Sequence, residues 1–349
     1  MTYIVGVDTG GTHTNIRVVS PDGIIQNVAE INKSLTSNRS DEELREVCAE
    51  IIRAIEVRTL GASACIWINA AGYSAASRRR LEEPLGAAIA EQDLRVGISN
   101  DAVGLLLAHD SELVVTIAGT GSVTMARDPS GQVISRGGDE WVVADYGSAF
   151  WLGLEGIRAA YRAFEGGPAT ALKNCLMNHF EPRRPFGSRR EESMLVRQIA
   201  RDLASLGTDT KPTVAGFAPE VTRQAELGDD EAQKIVRRAA DELAASAARV
   251  YRELAAGADG RIVPTRFLLS GSVGYRSQFY FEAFRASLDQ FLFDVREATG
   301  RTLELELQLN GLADSLIMAQ HIADDRVIAN LDELHPFVIL TAPHYSGQR

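Results

Sequence analysis

Cysteine is scarce in this chain of 349 residues: Cys48, Cys65 and Cys175 are an odd number at wide spacing with no CxxC pair. Neither a disulfide framework nor a zinc site follows, and a reducing cytoplasm is the expected compartment. Positive charge is also thin. No Lys/Arg run exceeds Arg78-Arg79-Arg80, and 36 basic against 47 acidic residues leave a net charge of −11. The basic footprint that neutralises nucleic-acid phosphates is therefore missing, and no nucleic-acid partner is expected. Long apolar runs are absent too: stretches such as Leu113 to Ala118 fall far short of the roughly 20 residues that span a bilayer. The N-terminal residues read directly as a strand, so neither membrane insertion nor export is expected. What is present is ordinary globular material, 45% hydrophobic and 24% charged, and at roughly 150 residues per domain the length points to two domains.

The chain opens with three short strands, Tyr3 to Val7, Asn15 to Ser20 and Ile24 to Ala29, joined by Asp8-Thr9-Gly10-Gly11-Thr12 and Pro21-Asp22-Gly23. Ser40 followed by Glu43 is a capping box, and Leu44, Val47, Ile51, Ile52 and Ile55 repeat at helical spacing, so a helix is expected over about 41 to 58. Strand Ala64 to Ala70, helix Ser77 to Ala90, strand Leu94 to Ser99 and helix Ala102 to Ala108 continue an alternation that reads as α/β with a mostly parallel sheet.

An internal repeat stands behind this order. Gly11-Thr12 recurs as Gly119-Thr120 (119 − 11 = 108), and Pro21-x-Gly23 recurs as Pro129-x-Gly131 at the same offset of 108. Both copies run strand, Gly/Thr turn, strand, Pro-x-Gly turn, strand, from Ile4 to Ile25 and from Leu113 to Ile134. The chain reads as two related halves. Beyond Gly147 amphipathic helices dominate, near 148–164, 169–180, 191–206, 213–227 and 229–256, with Glu181 to Arg190 as a loop. Strand Thr265 to Leu269 enters Ser270-Gly271-Ser272-Val273-Gly274 and opens a helix over about 276 to 293. A strand from Leu303 to Leu309 then precedes a helix starting near Gly311. The tail from Asp324 shows no periodicity and receives no role.

Three glycine turns follow strand ends: Gly10-Gly11-Thr12, Gly119-Thr120-Gly121-Ser122 and Gly271-Ser272-Val273-Gly274. Glycine lets backbone amides converge on an anion, and the hydroxyls of Thr12, Thr14, Thr120 and Ser122 add donors, which together read as phosphate binding. GxxxxGK[ST] does not occur and GxGxxG is absent after the first strand, so P-loop and Rossmann sites are excluded. Asp8, at a strand end beside the first turn, is positioned to hold Mg²⁺ through water, or else to brace the turn. Asp101, at the Asn100-Asp101 step, is either a helix cap or a general base for a hydroxyl attacking a γ-phosphate.

Asp8-Thr9-Gly10-Gly11-Thr12, Asn100-Asp101-Ala102, Ala118-Gly119-Thr120-Gly121-Ser122, Gly137-Gly138, Asp145-Tyr146-Gly147-Ser148 with the following Ala149 to Gly153, and Ser270-Gly271-Ser272-Val273 occur in one order. That order resembles the BadF/BadG/BcrA/BcrD ATPase family, in its N-acetylglucosamine kinase-like branch of the actin, Hsp70 and sugar-kinase superfamily. The resemblance implies a duplicated ribonuclease-H-like fold with ATP between two lobes, 1–112 and 113–325, the first completed by the helix near 311–325, and a tail over 326–349. It implies an ATP-dependent kinase acting on the 6-hydroxyl of N-acetylglucosamine or a related amino sugar, with Mg²⁺ as cofactor and a homodimer as assembly. Asp8 and Gly10 to Thr12 would form the first phosphate loop, Gly119 to Ser122 the second, and Gly271 to Gly274 the adenosine loop. Asp101 matches the catalytic aspartate, while Asn38, Gly137, Gly138 and Asp145 fall where the sugar is held. Two departures mark the sugar side: Asp139-Glu140-Trp141 stands where the branch has Gly-Trp-Gly, and Tyr146 where it has Glu. His13 stands where a basic residue is common and reads as a solvated loop histidine. The rival readings are a glucosamine or other sugar kinase, an activator ATPase of the same family, and a non-catalytic sugar sensor.

Overall fold

A computed structural model describes residues 2–11, 13–36, 39–109, 113–128, 131–139, 141–180, 189–257, 266–300, 302–326 and 337–341. The first half runs β1 (Tyr3–Thr9), β2 (Thr14–Val19), β3 (Ile25–Ile31), α1 (Asp41–Thr59), β4 (Ala64–Ala70), α2 (Arg78–Ala88), β5 (Leu94–Ser99) and α3 (Asp101–Ala108). The second opens with β6 (Leu113–Ala118), β7 (Ser122–Arg127) and β8 (Val133–Gly137). It continues through α4 (Ala149–Phe164), α5 (Leu172–Phe180), α6 (Arg189–Ser205), α7 (Thr210–Ala215), α8 (Ala218–Glu226) and α9 (Asp230–Gly257). It closes with β9 (Arg266–Ser270), α10 (Ser272–Arg276), α11 (Gln278–Phe291), α12 (Phe293–Thr299), β10 (Glu304–Gln308), α13 (Leu312–Ala323) and β11 (Phe337–Thr341).

The strands form two sheets. One has the order β11-β5-β4-β1-β2-β3 and the other β10-β9-β6-β7-β8. Without β11 the two are the same arrangement: an antiparallel meander whose first strand pairs in parallel with the fourth, which pairs in parallel with the fifth. The offset of 108 carries β2 onto β7 without a slip (14 + 108 = 122, 19 + 108 = 127). The paired turns agree as well, since Gly23 and Gly131 both take positive φ, 84° and 95°, where a side chain would be strained.

Local signals account for much of this. The capping box forms as expected: Ser40 Oγ accepts from Glu43 N while Glu43 Oε2 accepts from Ser40 N, and Leu44, Val47, Ile51 and Ile55 of α1 are buried. The alanine-rich face of α9, with Ala239, Ala240, Ala244 and Ala247 buried, lies against the second sheet and α11.

The two halves also exchange helices. α3 follows the first sheet yet packs Val103, Leu105 and Leu106 onto Val115, Met125 and Leu268 of the second. α13 follows the second sheet yet packs Met318, Ala319 and Ile322 onto Cys65 and Trp67 of the first. Bare backbone permits the second contact, because a Cβ at Gly6 of β1 would lie 2.9 Å from Leu312 O and 2.7 Å from Ser315 Oγ. The expected helix 213–227 is split into α7 and α8 around Gly216, and the helix expected from about 276 is preceded by the short α10. The segment after Asp324 supplies the edge strand β11, antiparallel to β5 with Ile339 opposite Gly97. That strand is five residues long, too short for its alternation to stand out in sequence. The expected loop 181–190 lies outside the described residues except for Arg189 and Arg190, which begin α6.

Candidate active site

Strand register gathers the chemistry at one end of each sheet. Asp8 of β1 lies opposite Asn69 of β4, and Asn69 lies opposite Ser99 of β5, so Asp8 and the Asn100-Asp101 step come off the same carboxyl edge. Such edges are where open α/β sheets bind ligands. In the second sheet Ile117 and Gln308 both lie opposite Ser270, which brings the turns after β6 and β9 together. The two edges meet across a cleft. A Cβ on Gly11 would come within 2.8 Å of Thr120 Oγ1, and one on Gly271 within 2.5 Å of Ala118 O, so all three glycine turns converge. Gly271 has φ 110°, which also reserves that position for glycine.

Asp8 Oδ1 accepts from Gly311 N at 3.2 Å, at the start of α13. Burial, the charges of Asp101 and Asp314, and only one opposing amide push its pKa up to about 7. Asp101 accepts from Ala102 N at 2.9 Å while Asn100 Oδ1 caps the helix at 3.1 Å. The two side chains thus share the Ala102 amide at the start of α3. Burial raises its pKa to about 6, against the backbone amides of Ala102 and Asp101 itself and the positive charge of Lys211. Beneath the pair runs a polar seam between the lobes. Asn69 Nδ2 donates to Gly311 O at 3.0 Å, His109 Nε2 and Asp314 Oδ1 are 2.7 Å apart, and Gln308 Nε2 donates to Asp314 Oδ2 at 2.5 Å.

The loop after β6 is strapped to the start of α4. Ala149 N donates to Gly119 O at 2.8 Å and Phe150 N to Thr120 O at 3.2 Å, while Ser148 Oγ caps the helix. Asp145 is almost fully buried and adopts φ 63°, unusual for a residue with a side chain. Its Oδ1 accepts from Ser122 N at 2.8 Å, and its Oδ2 lies 2.7 Å from Lys211 Nζ. Gly147 O accepts from the buried Tyr280 hydroxyl at 2.8 Å, which pins the turn from below. Gly138 N donates to Ser122 O, holding the Gly137-Gly138 pair beside the loop. On the segment before Asp145, Trp141 meets Phe150 edge-on at 5.0 Å, while Val142, Val143 and Tyr146 are exposed.

Some expected donors have other work. Thr14 is fully buried, its hydroxyl between Thr9 Oγ1 and Lys33 O, where it braces the 33–35 loop rather than opening onto the cleft. The amides of Gly10 and Gly119 donate to His13 O and Gly121 O, closing turns, and that of Gly271 donates to Gln308 O of the neighbouring strand β10. Ser122 Oγ donates to Tyr146 O. Gly274 is a packing residue, since a Cβ there would sit 2.7 Å from Leu269 Cδ2. Gly11, Thr120, Gly121 and Ser272 remain at the cleft; Thr12 and Asn38 lie outside the described residues. His13 is half-exposed, 3.8 Å from Glu30. Cys48, Cys65 and Cys175 are buried on α1, β4 and α5 in three different hydrophobic clusters, and burial pushes the Cys48 thiol up to about 12. Among the described residues no group of three or more His, Cys, Asp or Glu side chains is arranged to hold a metal. No helix there is long and apolar enough to cross a membrane.

Sequence reasoning missed Lys211, Asn69, Gln308 and Asp314. Asp314 carried a readable sign, an acid on the buried face of an otherwise apolar helix; Lys211 carried none.

Two copies of one five-stranded unit, facing across a cleft with glycine turns and paired carboxylates, define a two-lobed actin-like ATPase fold. Residues 5–297 match the BadF/BadG/BcrA/BcrD ATPase family, and the chain belongs to it. It is 25% identical over 261 residues, 73% of this chain and 81% of the relative, to an N-acetylmuramic acid/N-acetylglucosamine kinase of Clostridium acetobutylicum. A glucosamine kinase of Vibrio cholerae is 28% identical over 183 residues, covering 52% of this chain and 62% of that one. Among solved structures, a candidate N-acetylglucosamine kinase from Chromobacterium violaceum superposes with a TM-score of 0.62 at 21% identity, covering 92% of this chain and 99% of the other.

Proposed function

We propose that this protein is an ATP-dependent kinase of an amino sugar related to N-acetylglucosamine, phosphorylating its 6-hydroxyl. The observation that carries the reading is Asp101: a carboxylate just beyond the carboxyl end of β5, buried and close enough to Asp8 and to Lys211 for their charges to act on one another. The kinases named among the relatives support the reaction class, and the family supports ATP. With a pKa near 6, Asp101 is ionised at neutral pH yet basic enough to take a hydroxyl proton as the sugar oxygen attacks the γ-phosphorus. The bond from that phosphorus to the bridging oxygen breaks, ADP leaves, and the proton stays on Asp101. Gly11 and Thr120, in contact across the cleft, would hold the phosphates in line, and closure of the lobes would keep water from acting as acceptor.

Asp8 fits Mg²⁺: its carboxyl is buried and has the acids Asp101 and Asp314 near it, an excess of negative charge that a cation would relieve. A single carboxylate with water and nucleotide phosphates is a normal magnesium environment. When bound, the ion would neutralise charge developing on the phosphates. Lobes at 1–112 and 113–325 with α13 completing the first, a homodimer and a cytoplasmic location belong to the same reading.

ADP release with Mg-ATP, measured against N-acetylglucosamine, N-acetylmuramic acid, glucosamine, N-acetylmannosamine, glucose and buffer, tests it. One amino sugar should stimulate release strongly. Asp101→Asn should bind sugar and ATP while losing at least a hundredfold in kcat, in the range typical of general bases. A wild-type rate in that variant would sink the assignment.

A further inference from the structure

Asn69 is a fully buried amide in a strand whose other side chains are Ala, Cys, Ile and Trp, and it lies directly opposite Asp8 in the sheet. Both of its polar atoms are engaged. Trp67 Nε1 donates to its Oδ1 at 3.0 Å, and its Nδ2 donates to Gly311 O at 3.0 Å. An indole N–H only donates and a carbonyl only accepts, so the two partners set the orientation of the amide, and neither a carboxylate nor an alkyl group satisfies both. Gly311 is the N-cap of α13. Its O also closes the first turn by accepting from Ser315 N at 2.9 Å, and its own N–H goes to Asp8 Oδ1. One hydrogen-bonded line thus runs from Trp67 through Asn69 and Gly311 to the Asp8 carboxylate.

Both exchanged helices make room for this amide. A Cβ on Gly104, inside α3, would fall 1.8 Å from Asn69 Oδ1, and one on Gly311 would fall 2.7 Å from Asn69 Nδ2 and 2.9 Å from Asp8 Oδ1. Glycine inside a helix is unfavourable relative to alanine, and a satisfied buried amide adds little net stability over an apolar group of the same shape. Stability alone therefore does not account for the arrangement; what it produces is a carboxylate held in place. We infer that Asn69 is a positioning residue: through Gly311 it holds one oxygen of Asp8, so that the carboxylate meets the cation and the nucleotide phosphates in one orientation. The inference rests on the kinase reading above, with Mg²⁺ at Asp8. α3, which begins with Asp101, is seated on the same amide at Gly104, so Asn69 also bears on the spacing of the two acids.

The test compares wild type, Asp8→Asn and Asn69→Leu, which keeps the branching at Cγ and removes both bonds. Affinity for Mn²⁺-ADP is read from the Mn²⁺ EPR line and affinity for ADP without metal by calorimetry. ADP release with Mg-ATP and whichever sugar stimulates it is followed in parallel. Asn69→Leu should bind metal-free ADP as wild type does and Mn²⁺-ADP about ten- to a hundredfold more weakly, the range usual for groups that orient a metal ligand. Its kcat should fall while KM for the sugar holds, and Asp8→Asn should lose at least as much Mn²⁺ affinity. Mn²⁺ affinity and kcat at wild-type values in Asn69→Leu, whatever its loss of thermal stability, would make Asn69 a brace of the fold and overturn the inference. An equal loss of ADP with and without metal, or a Mn²⁺ affinity that does not respond to Asp8→Asn, overturns it as well. If Asn69→Leu does not fold, Trp67→Phe decides: with the indole N–H gone the amide is loosened and Mn²⁺-ADP should bind about tenfold more weakly, the lower end of that range, whereas an unchanged affinity overturns the inference. Should no sugar stimulate ADP release, the kinase reading falls by itself and the Mn²⁺ titration still decides on Asn69.

Discussion

Replacing Asp8 by asparagine is expected to stabilise the ligand-free protein in alkaline solution while removing its response to Mg-ATP. The carboxyl titrates near 7 in the fold against an ordinary 3.8, so between those values the folded state keeps a proton that the unfolded chain has released. Stability therefore falls as pH rises from about 4 to 7 and stays low above it, because ionising Asp8 places a charge in a buried position and, secondly, beside Asp101. At about 1.36 kcal/mol per pH unit the gap of about three units sets a ceiling near 4 kcal/mol. Asp8 is only partly buried on its cleft side, and water screens some of that cost, leaving about 1–2 kcal/mol. Asparagine keeps an oxygen for Gly311 N, so the bond that seats α13 survives. Urea unfolding of both proteins across pH, without magnesium or nucleotide, reads the difference directly. Asp8→Asn should match wild type at the acid end of that range and exceed it by about 1–2 kcal/mol in alkaline buffer. A difference that does not vary with pH, or an asparagine variant less stable when alkaline, would refute the reasoning.

The other expectations concern packing and reactivity. Gly97→Ala would drive a methyl to 2.2 Å from the ring of the buried Trp67, and should cost about 3 kcal/mol or more in unfolding free energy. Tyr280→Phe removes the hydrogen bond from a fully buried hydroxyl and strands Gly147 O, so about 1–2 kcal/mol should be lost in thermal or urea unfolding, with a weaker sugar site as the turn loosens. The three thiols should be silent toward a disulfide reagent in the native protein and all react in denaturant, since each is buried and its pKa is raised.

Much of the scaffold was legible because its signals are local. A capping box, a Pro-x-Gly turn and a run of apolar residues act within a few positions of one another, so α1, β4 and the offset-108 repeat could be read before any contact was known. Asp8 and Asp101 were readable for the same reason, one near the end of β1 and the other two residues past β5, strands that their own neighbours define. β11 was not, for five residues pair with a strand far away in the chain and carry too little pattern of their own. Thr14 misled the reading: at the end of a hairpin strand a hydroxyl can point either way, and the return of the chain at Lys33 took it inward. The glycine turns do follow strand ends, yet four of the amides near them, those of Gly10, Gly119, Ser122 and Gly271, are spent on the protein itself.

The sequence by itself determined that two copies of one strand-turn unit exist, that each ends in glycine, and that acids stand at the strand ends, because steric preference and hydrogen bonding to near neighbours are short-ranged. Only the tertiary structure decided which of those ends face each other. The exchange of α3 and α13 between lobes, the burial that lifts Asp8 and Asp101, and the meeting of Lys211 with Asp145, 66 positions apart (211 − 145), depend on desolvation and charge acting through space. Those forces follow distance in the folded chain, which the order of residues does not record.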